Sequence, residues 1–289
     1  MHAADTAAIA WWIWPIALFA VTFALGIIAV VAGIGGGVLF VPIVAGFFPF
    51  HLDFVRGAGL LLALSGTLAA GPVLLRSGMA NLRLVMPLAL TGSIASLAGA
   101  MVGLSAPANI LQTALGVTVI AVALLIWRVK PVHSTGIEES DPLGTALRLV
   151  GKFDDPAAGG RIDWRTNQTP AGLIAFAVIG FLGGVFGLGA GFANVPALNL
   201  LMGAPLKVAV GSSGLIISIV NSSAAWVYIN SGAVLPIIVV PSILGVMMGS
   251  RIGAGLLRTM PAATIRQLVI VTMLLAGGRA LLRGLDIWT

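Results

Sequence analysis

Gly33-Ile34-Gly35-Gly36-Gly37-Val38-Leu39-Phe40-Val41-Pro42 is the stretch on which the reading of this chain turns. Four glycines in five positions interrupt an apolar run, and a proline follows. Glycine is costly inside a helix and proline removes a backbone donor, so the segment reads as a helix, a break and a short second helix. A counterpart stands 154 positions later: Gly187-Leu188-Gly189-Ala190-Gly191-Phe192-Ala193-Asn194-Val195-Pro196.

The rest of the chain places both glycine boxes in a membrane. Of the 289 residues 59% are hydrophobic and 8% charged, with a mean hydropathy of +1.10, whereas soluble domains carry roughly a quarter charged residues. Apolar runs near the roughly 20 residues that cross a bilayer recur from end to end, which implies a polytopic protein. The net charge of +6 comes from single Lys and Arg residues at the ends of those runs, where they set topology; a nucleic-acid partner is not expected. No removable signal peptide is expected. Cysteine is absent and the three histidines, His2, His51 and His133, lack metal-ligand spacing. Neither a metal nor a cofactor is expected.

Reading apolar runs against Gly, Pro and charge predicts helices at about 12–32, 38–48, 57–75, 84–104 and 108–127. A hydrophilic stretch with six basic and six acidic residues follows, and the pattern returns at 170–186, 192–202, 208–229, 234–257 and 262–282. A shift of 154 superimposes Pro42 on Pro196, Gly57 on Gly211, Ser77-Gly78 on Ser231-Gly232, Pro87 on Pro241 and Gly99-Ala100 on Gly253-Ala254. Matched glycines and prolines carry backbone information, so they argue for an internal duplication. Charges in the halves are complementary: Arg76 and Arg83 align with Asn230 and Ile237, and Arg251 and Arg258 with Leu97 and Leu104. Because Lys and Arg collect on the cytoplasmic side, this pattern favours inverted copies. The expected fold is therefore an all-α polytopic membrane protein with two inverted repeats of about five helical elements, broken at the glycine boxes. Residues 12–128 form the first repeat, 129–169 a cytoplasmic linker and 170–285 the second repeat. Arg56, Arg279 and Arg283 run against this sidedness.

A glycine cluster in hydrocarbon is tolerated where it is packed in protein or lines a polar cavity. In the first case these glycines only allow close helix packing. In the second, each short helix presents free N–H groups and the positive end of its dipole, an anion site. The candidate substrate-binding residues are Gly35, Gly36, Gly37, Gly189, Ala190 and Gly191, with Asn194, Ser212, Ser213 and Asn221 as neutral donors in apolar segments. Asp53, Arg56, Lys207 and Arg251 are candidates for the pathway or its gating. No Asp or Glu lies within an apolar segment, so only Asp53 and His51 are at hand for proton coupling. No nucleophile–base pair suggests catalysis, and an enzyme is not expected.

The two boxes with Val41-Pro42 and Val195-Pro196, together with Leu206-Lys207-Val-Ala-Val-Gly-Ser212-Ser213, resemble the sulfite exporter TauE/SafE family of membrane permeases. The resemblance covers nearly all of the chain except the linker. It implies a permease of a bacterial plasma membrane that moves small sulfur-containing anions such as sulfite or organosulfonates, in most cases outward. Ala190, and Gly57-Ala58-Gly59 where the second repeat has Gly211-Ser212-Ser213, depart from a symmetric pattern. Competing readings are an anion channel, uptake of another small organic anion, and a non-transporting partner whose linker recruits cytoplasmic proteins.

Overall fold

The computed structural model describes residues 12–33, 35–48, 50, 52–128, 140–155, 160–187 and 191–285. Among the described residues eleven α-helices dominate: α1 Ile13–Ala32, α2 Gly36–Phe47, α3 Leu52–Arg76, α4 Leu82–Ser105, α5 Ala108–Arg128, α6 Pro142–Ala146, α7 Thr169–Phe186, α8 Gly191–Pro196, α9 Leu206–Asn230, α10 Pro236–Thr259 and α11 Ala262–Gly284. Among the described residues, α1, α3, α4, α7, α9 and α10 are long and apolar enough to cross a membrane. At 21 and 23 residues, α5 and α11 also have the length, since about 20 residues span about 30 Å. Residue Gly187 and its neighbours Gly191 onward are described, whereas Gly189, Ala190 and His51 lie outside the described residues.

The helices α1 and α7 each end at a glycine. After α1, Gly33 adopts a left-handed conformation (φ 67°), and Gly187 does the same after α7 (φ 65°). In each the N–H returns to carbonyls of the last turn, Ala29 and Val30 in one and Gly183 and Gly184 in the other. Such a cap satisfies orphan carbonyls and needs a residue without a Cβ. The chain then doubles back. Trp14 at the start of α1 packs on Phe48 just beyond α2, with ring centroids 5.5 Å apart, so α1 and α2 form a hairpin that enters and leaves on one side. The second hairpin opens on the other side, where Asn167 before α7 donates its N–H to Met202 O (3.0 Å). Its return arm is α8 followed by a π-helical stretch, Ala197–Leu201, that runs through Pro196.

Close helix approaches hold the rest. A Cβ at Gly249 would sit 2.1 Å from the Phe23 carbonyl oxygen and one at Gly253 2.6 Å from that of Ile27, so α10 meets α1 backbone to backbone. The same holds between α4 and α7, where a Cβ at Gly99 would lie 2.0 Å from Phe181 O and one at Gly103 2.2 Å from Val185 O. Lipid offers no hydrophobic drive for helix association, so small residues that permit such contact replace it. The opposite face of α10 exposes Val240, Leu244, Met248 and Ile252, an i, i+4 stripe suited to lipid. Packing partners interchange when the halves are exchanged: α1 with α10 matches α7 with α4, and α3 with α10 matches α9 with α4, while α3–α9 and α5–α11 map on themselves.

The linker departs from the expected all-α structure and from a plain solvated segment. Its described part forms α6 and an antiparallel hairpin of β1 Val150–Asp155 and β2 Gly160–Arg165, with Gly151 opposite Trp164 and Phe153 opposite Ile162. Period-two alternation explains it: Phe153 and Trp164 are buried while Lys152 and Asp163, paired at 3.2 Å, face water. The hairpin docks on the α3–α4 turn, where Asn81 Nδ2 donates to Val150 O (3.3 Å). A further tie is Asp141, which caps α6 through Gly144 N and accepts from the Thr169 hydroxyl (2.8 Å) and N–H (3.3 Å) at the start of α7. Partial burial raises its pKa, but those hydrogen bonds outweigh this and hold it below the ordinary 3.8. The clamp is therefore intact at neutral pH and loosens as the pH falls through that lowered value. Asp141→Ala should cost about 1 kcal/mol and speed proteolytic cleavage between α6 and α7; an unchanged cleavage rate would remove the clamp.

Candidate functional site

The helices α3 and α9 run antiparallel at the centre. At one end Asn81 N–H, in the α3–α4 turn, donates to Ser212 Oγ (3.3 Å); at the other, a Cβ at Gly57 would strike Ala233 O. The first box inserts against both helices. A Cβ at Gly33 would lie 3.0 Å from Val210 Cα and 2.8 Å from Val195 Cγ2, so the box touches the beginning of α9 and the return arm of the second hairpin. One at Gly35 would meet Ile217, and one at Gly36 would meet Leu62 and Val246, near the middles of α9, α3 and α10. The start of α2 thus lies deep in the bundle. It has no side-chain cap, so its first N–H groups rely on what enters the space beside them.

That space is a small pocket walled by Gly33, Gly35, Gly36, Thr67, Leu74, Val210 and Ser250. It reaches into the linker-side half of the bundle, since Leu74 lies near the end of α3 and Val210 near the start of α9. Its free volume of about 10 Å³ is the room of one water. The pocket is closed to any oxyanion in this conformation. Thr67 hydrogen-bonds Ser218 across it, and both also bond carbonyls of their own helices.

Shifting these wall residues by 154 names a second set at the second box: Gly187, Asn221, Tyr228, Arg56 and Ser96. The geometry brings Gly187, Tyr228 and Arg56 together. A Cβ on Gly187 would lie 2.6 Å from Tyr228 Oη and 3.2 Å from Arg56 Cβ. Asn221 and Tyr228 are seven residues apart on α9, on one face, and both are buried. Neither the Asn221 amide, the Tyr228 hydroxyl nor the Ser96 hydroxyl has a hydrogen-bond partner. Most buried polar groups in proteins are paired, so unpaired ones are groups that a ligand or water can satisfy. Arg56 is 4% exposed and pairs with the half-exposed Asp53 at 3.6 Å. This accounts for one arginine that runs against the charge rule: Arg56 faces protein and does not anchor to headgroups.

The other candidates fall into two groups. Ser213 Oγ donates to Gly33 O (2.7 Å), and Ser212 accepts from Asn81, so both hydroxyls serve the box and the α3–α4 turn. Replacing Ser213 with alanine strands the Gly33 carbonyl and should cost about 1–3 kcal/mol, read as a lower melting temperature; no change would show that water replaces the bond. Gly37 lies against α3, with its Cα 3.8 Å from where a Cβ on Gly59 would be. Gly191 starts α8, and Asn194 in the same helix is buried with both amide atoms unpaired. Lys207, in the first turn of α9, is 3% exposed. Arg251 is exposed on the outer face of α10, next to the buried Ser250. Sequence reasoning missed Tyr228, although it is the single tyrosine in the chain and sits two turns from Asn221.

Comparison with known proteins accords with this architecture. The family described as sulfite exporter TauE/SafE matches residues 18–280. The chain is 31% identical over 137 residues to the probable membrane transporter protein YunE of Bacillus subtilis (strain 168), a match over 47% of this chain and 50% of that protein, so it spans about half the length of that relative. It is 26% identical over 258 residues to the probable membrane transporter protein ORF9 of Sinorhizobium sp, covering 88% of this chain and 87% of the relative. No solved structure matches the chain. With a family match that takes in both boxes and every membrane helix, the chain belongs to the sulfite exporter TauE/SafE family.

Proposed function

We propose that the protein carries small sulfur oxyanions, sulfite or organosulfonates, outward across a bacterial plasma membrane. The observation that supports this most is the sign of the buried charge. Arg56 and Lys207 are buried in the described residues, and no Asp or Glu is. Buried cations without buried carboxylates favour an anionic guest. The uncapped N–H groups at the start of α2 and the unpaired Asn194 and Asn221 add neutral donors.

The interchange of packing partners supports reading 12–128 and 170–285 as inverted repeats, with the linker at 129–169 in the cytoplasm. The two boxes then approach the centre from opposite sides, with Lys207 on the inner side and Arg56 on the outer one. Arg251, exposed toward lipid and headgroups, is left out of the pathway. With the cell interior negative, each exported negative charge gains about 2.3 kcal/mol per 100 mV, so no coupling ion is required. The one-water volume of the first pocket favours a carrier that alternates between closed states over an open anion channel.

Flux of sulfite out of proteoliposomes should be saturable and should rise when the outside is made positive. Absence of flux with sulfite and with organosulfonates would remove the substrate class. Single-channel currents that do not saturate would replace the carrier with a channel.

A further inference from the structure

We propose that the place beside Gly187 is the anion-selecting half of the pathway, binding the oxyanion between the Arg56 guanidinium and the Tyr228 hydroxyl, and that the first-box pocket is a neutral passage. This rests on the transport reading above. The two places correspond under the shift of 154, yet their side chains differ in chemistry. Where the pocket at the first box has Val210, Leu74 and Thr67, the second place has Arg56, Tyr228 and Asn221. Thr67 is satisfied by Ser218 and by carbonyls of α3. Tyr228, fully buried, and Asn221, 1% exposed, have unpaired polar atoms.

A buried hydroxyl with no partner loses hydration and receives nothing for it, unless a ligand supplies the missing bond. An oxyanion is suited to that role: it accepts from the tyrosine O–H and the asparagine N–H₂, and takes two parallel bonds from a guanidinium. Any side chain at Gly187 would overlap Tyr228 Oη and the stem of Arg56, so the glycine is what lets the hydroxyl and the arginine stem come together at one point. Asp53 completes the device. It lies one turn before Arg56, pairs with it at 3.6 Å and is half exposed, so an arriving anion can take its place on the guanidinium and a departing one can return it. The second hairpin and the first part company here, because the shift of 154 puts Lys207 in the place of Asp53 and leaves the first pocket without this exchange.

The test uses the purified full chain with sulfite as ligand, reading both binding by thermal shift or calorimetry and flux in proteoliposomes. Charge-assisted bonds predict about tenfold or weaker binding for Arg56→Gln. Arg56→Lys, which keeps the charge but not the fork, should lose less, and Tyr228→Phe should lose severalfold affinity with no loss of folded protein, since its hydroxyl bonds nothing in the protein. Asp53→Asn should bind sulfite more tightly than the unaltered chain. If the unaltered chain binds and transports sulfite and Tyr228→Phe and Arg56→Lys bind it equally well, the assignment of the place beside Gly187 is overturned while the transport reading stands. If the unaltered chain neither binds nor transports sulfite or an organosulfonate, both are overturned.

Discussion

Alanine in place of Gly35 is expected to abolish transport while leaving a folded, membrane-inserted protein. Gly35 has φ 73° and ψ 144°, a region that residues with a Cβ enter only at a cost of about 1–3 kcal/mol. Its added methyl would also meet Ile217 Cδ1 at 3.2 Å, a side chain that can yield by a few tenths of an ångström. The loop then relaxes by rotating Gly35, which tilts the first turn of α2 and moves its free N–H groups away from the pocket. Fold is preserved because α1 and α10 remain locked together elsewhere. Flux below about a tenth of the unaltered rate, with unchanged yield and elution of the purified protein, is the expected result; each tenfold corresponds to about 1.4 kcal/mol of lost binding or barrier. Normal flux would reduce the box to a packing device.

Leucine at Gly99 acts on stability instead. A Cβ there would be 2.0 Å from the Phe181 carbonyl oxygen and 2.9 Å from its carbon, and backbone cannot step aside as a side chain does. The helices α4 and α7 must separate along their length, which also breaks the contacts of Gly103 with Val185 and Gly184 with Ser96. Overpacking of this kind costs several kcal/mol when it displaces backbone. Leucine at Gly253, which meets Ile27 O at 2.6 Å, should do the same to α10 and α1. Both variants should yield aggregated or degraded protein, with serine less damaging than leucine at each position. A monodisperse Gly99→Leu protein of normal thermal stability would show that the close approach is not what holds these helices.

The glycines and prolines made most of the architecture legible. Helix ends fell within a few residues of those expected, since Gly33, Gly187 and Pro236 are stop and start signals that act locally. The hairpin form of α1 and α2 was not legible: it depends on Trp14 meeting Phe48, a contact between residues far apart in sequence. The β-hairpin in the linker was missed because charge counts masked the alternation of Phe153, Ile162 and Trp164 with Lys152, Asp163 and Arg165. At the site, composition identified Asn194 and Asn221 as polar candidates inside apolar segments, and they are buried; Arg56, a pathway candidate by its place at a segment end, is buried too. It had no means of telling Ser212 and Ser213, whose hydroxyls serve the α3–α4 turn and Gly33, from groups left unpaired. Nor was it able to bring Tyr228 and Arg56 together at Gly187, because that juxtaposition joins three separate helices.

Anomalous scattering from selenite, a heavier analogue of sulfite, in crystals of the full chain would test the central claim most directly. A selenium peak is expected beside Gly187, with oxygens in hydrogen-bond reach of the Arg56 guanidinium and the Tyr228 hydroxyl. Selenium confined to the lipid-facing surface or to the linker arginines, with side chains or water alone between Arg56 and Tyr228, would contradict the assignment.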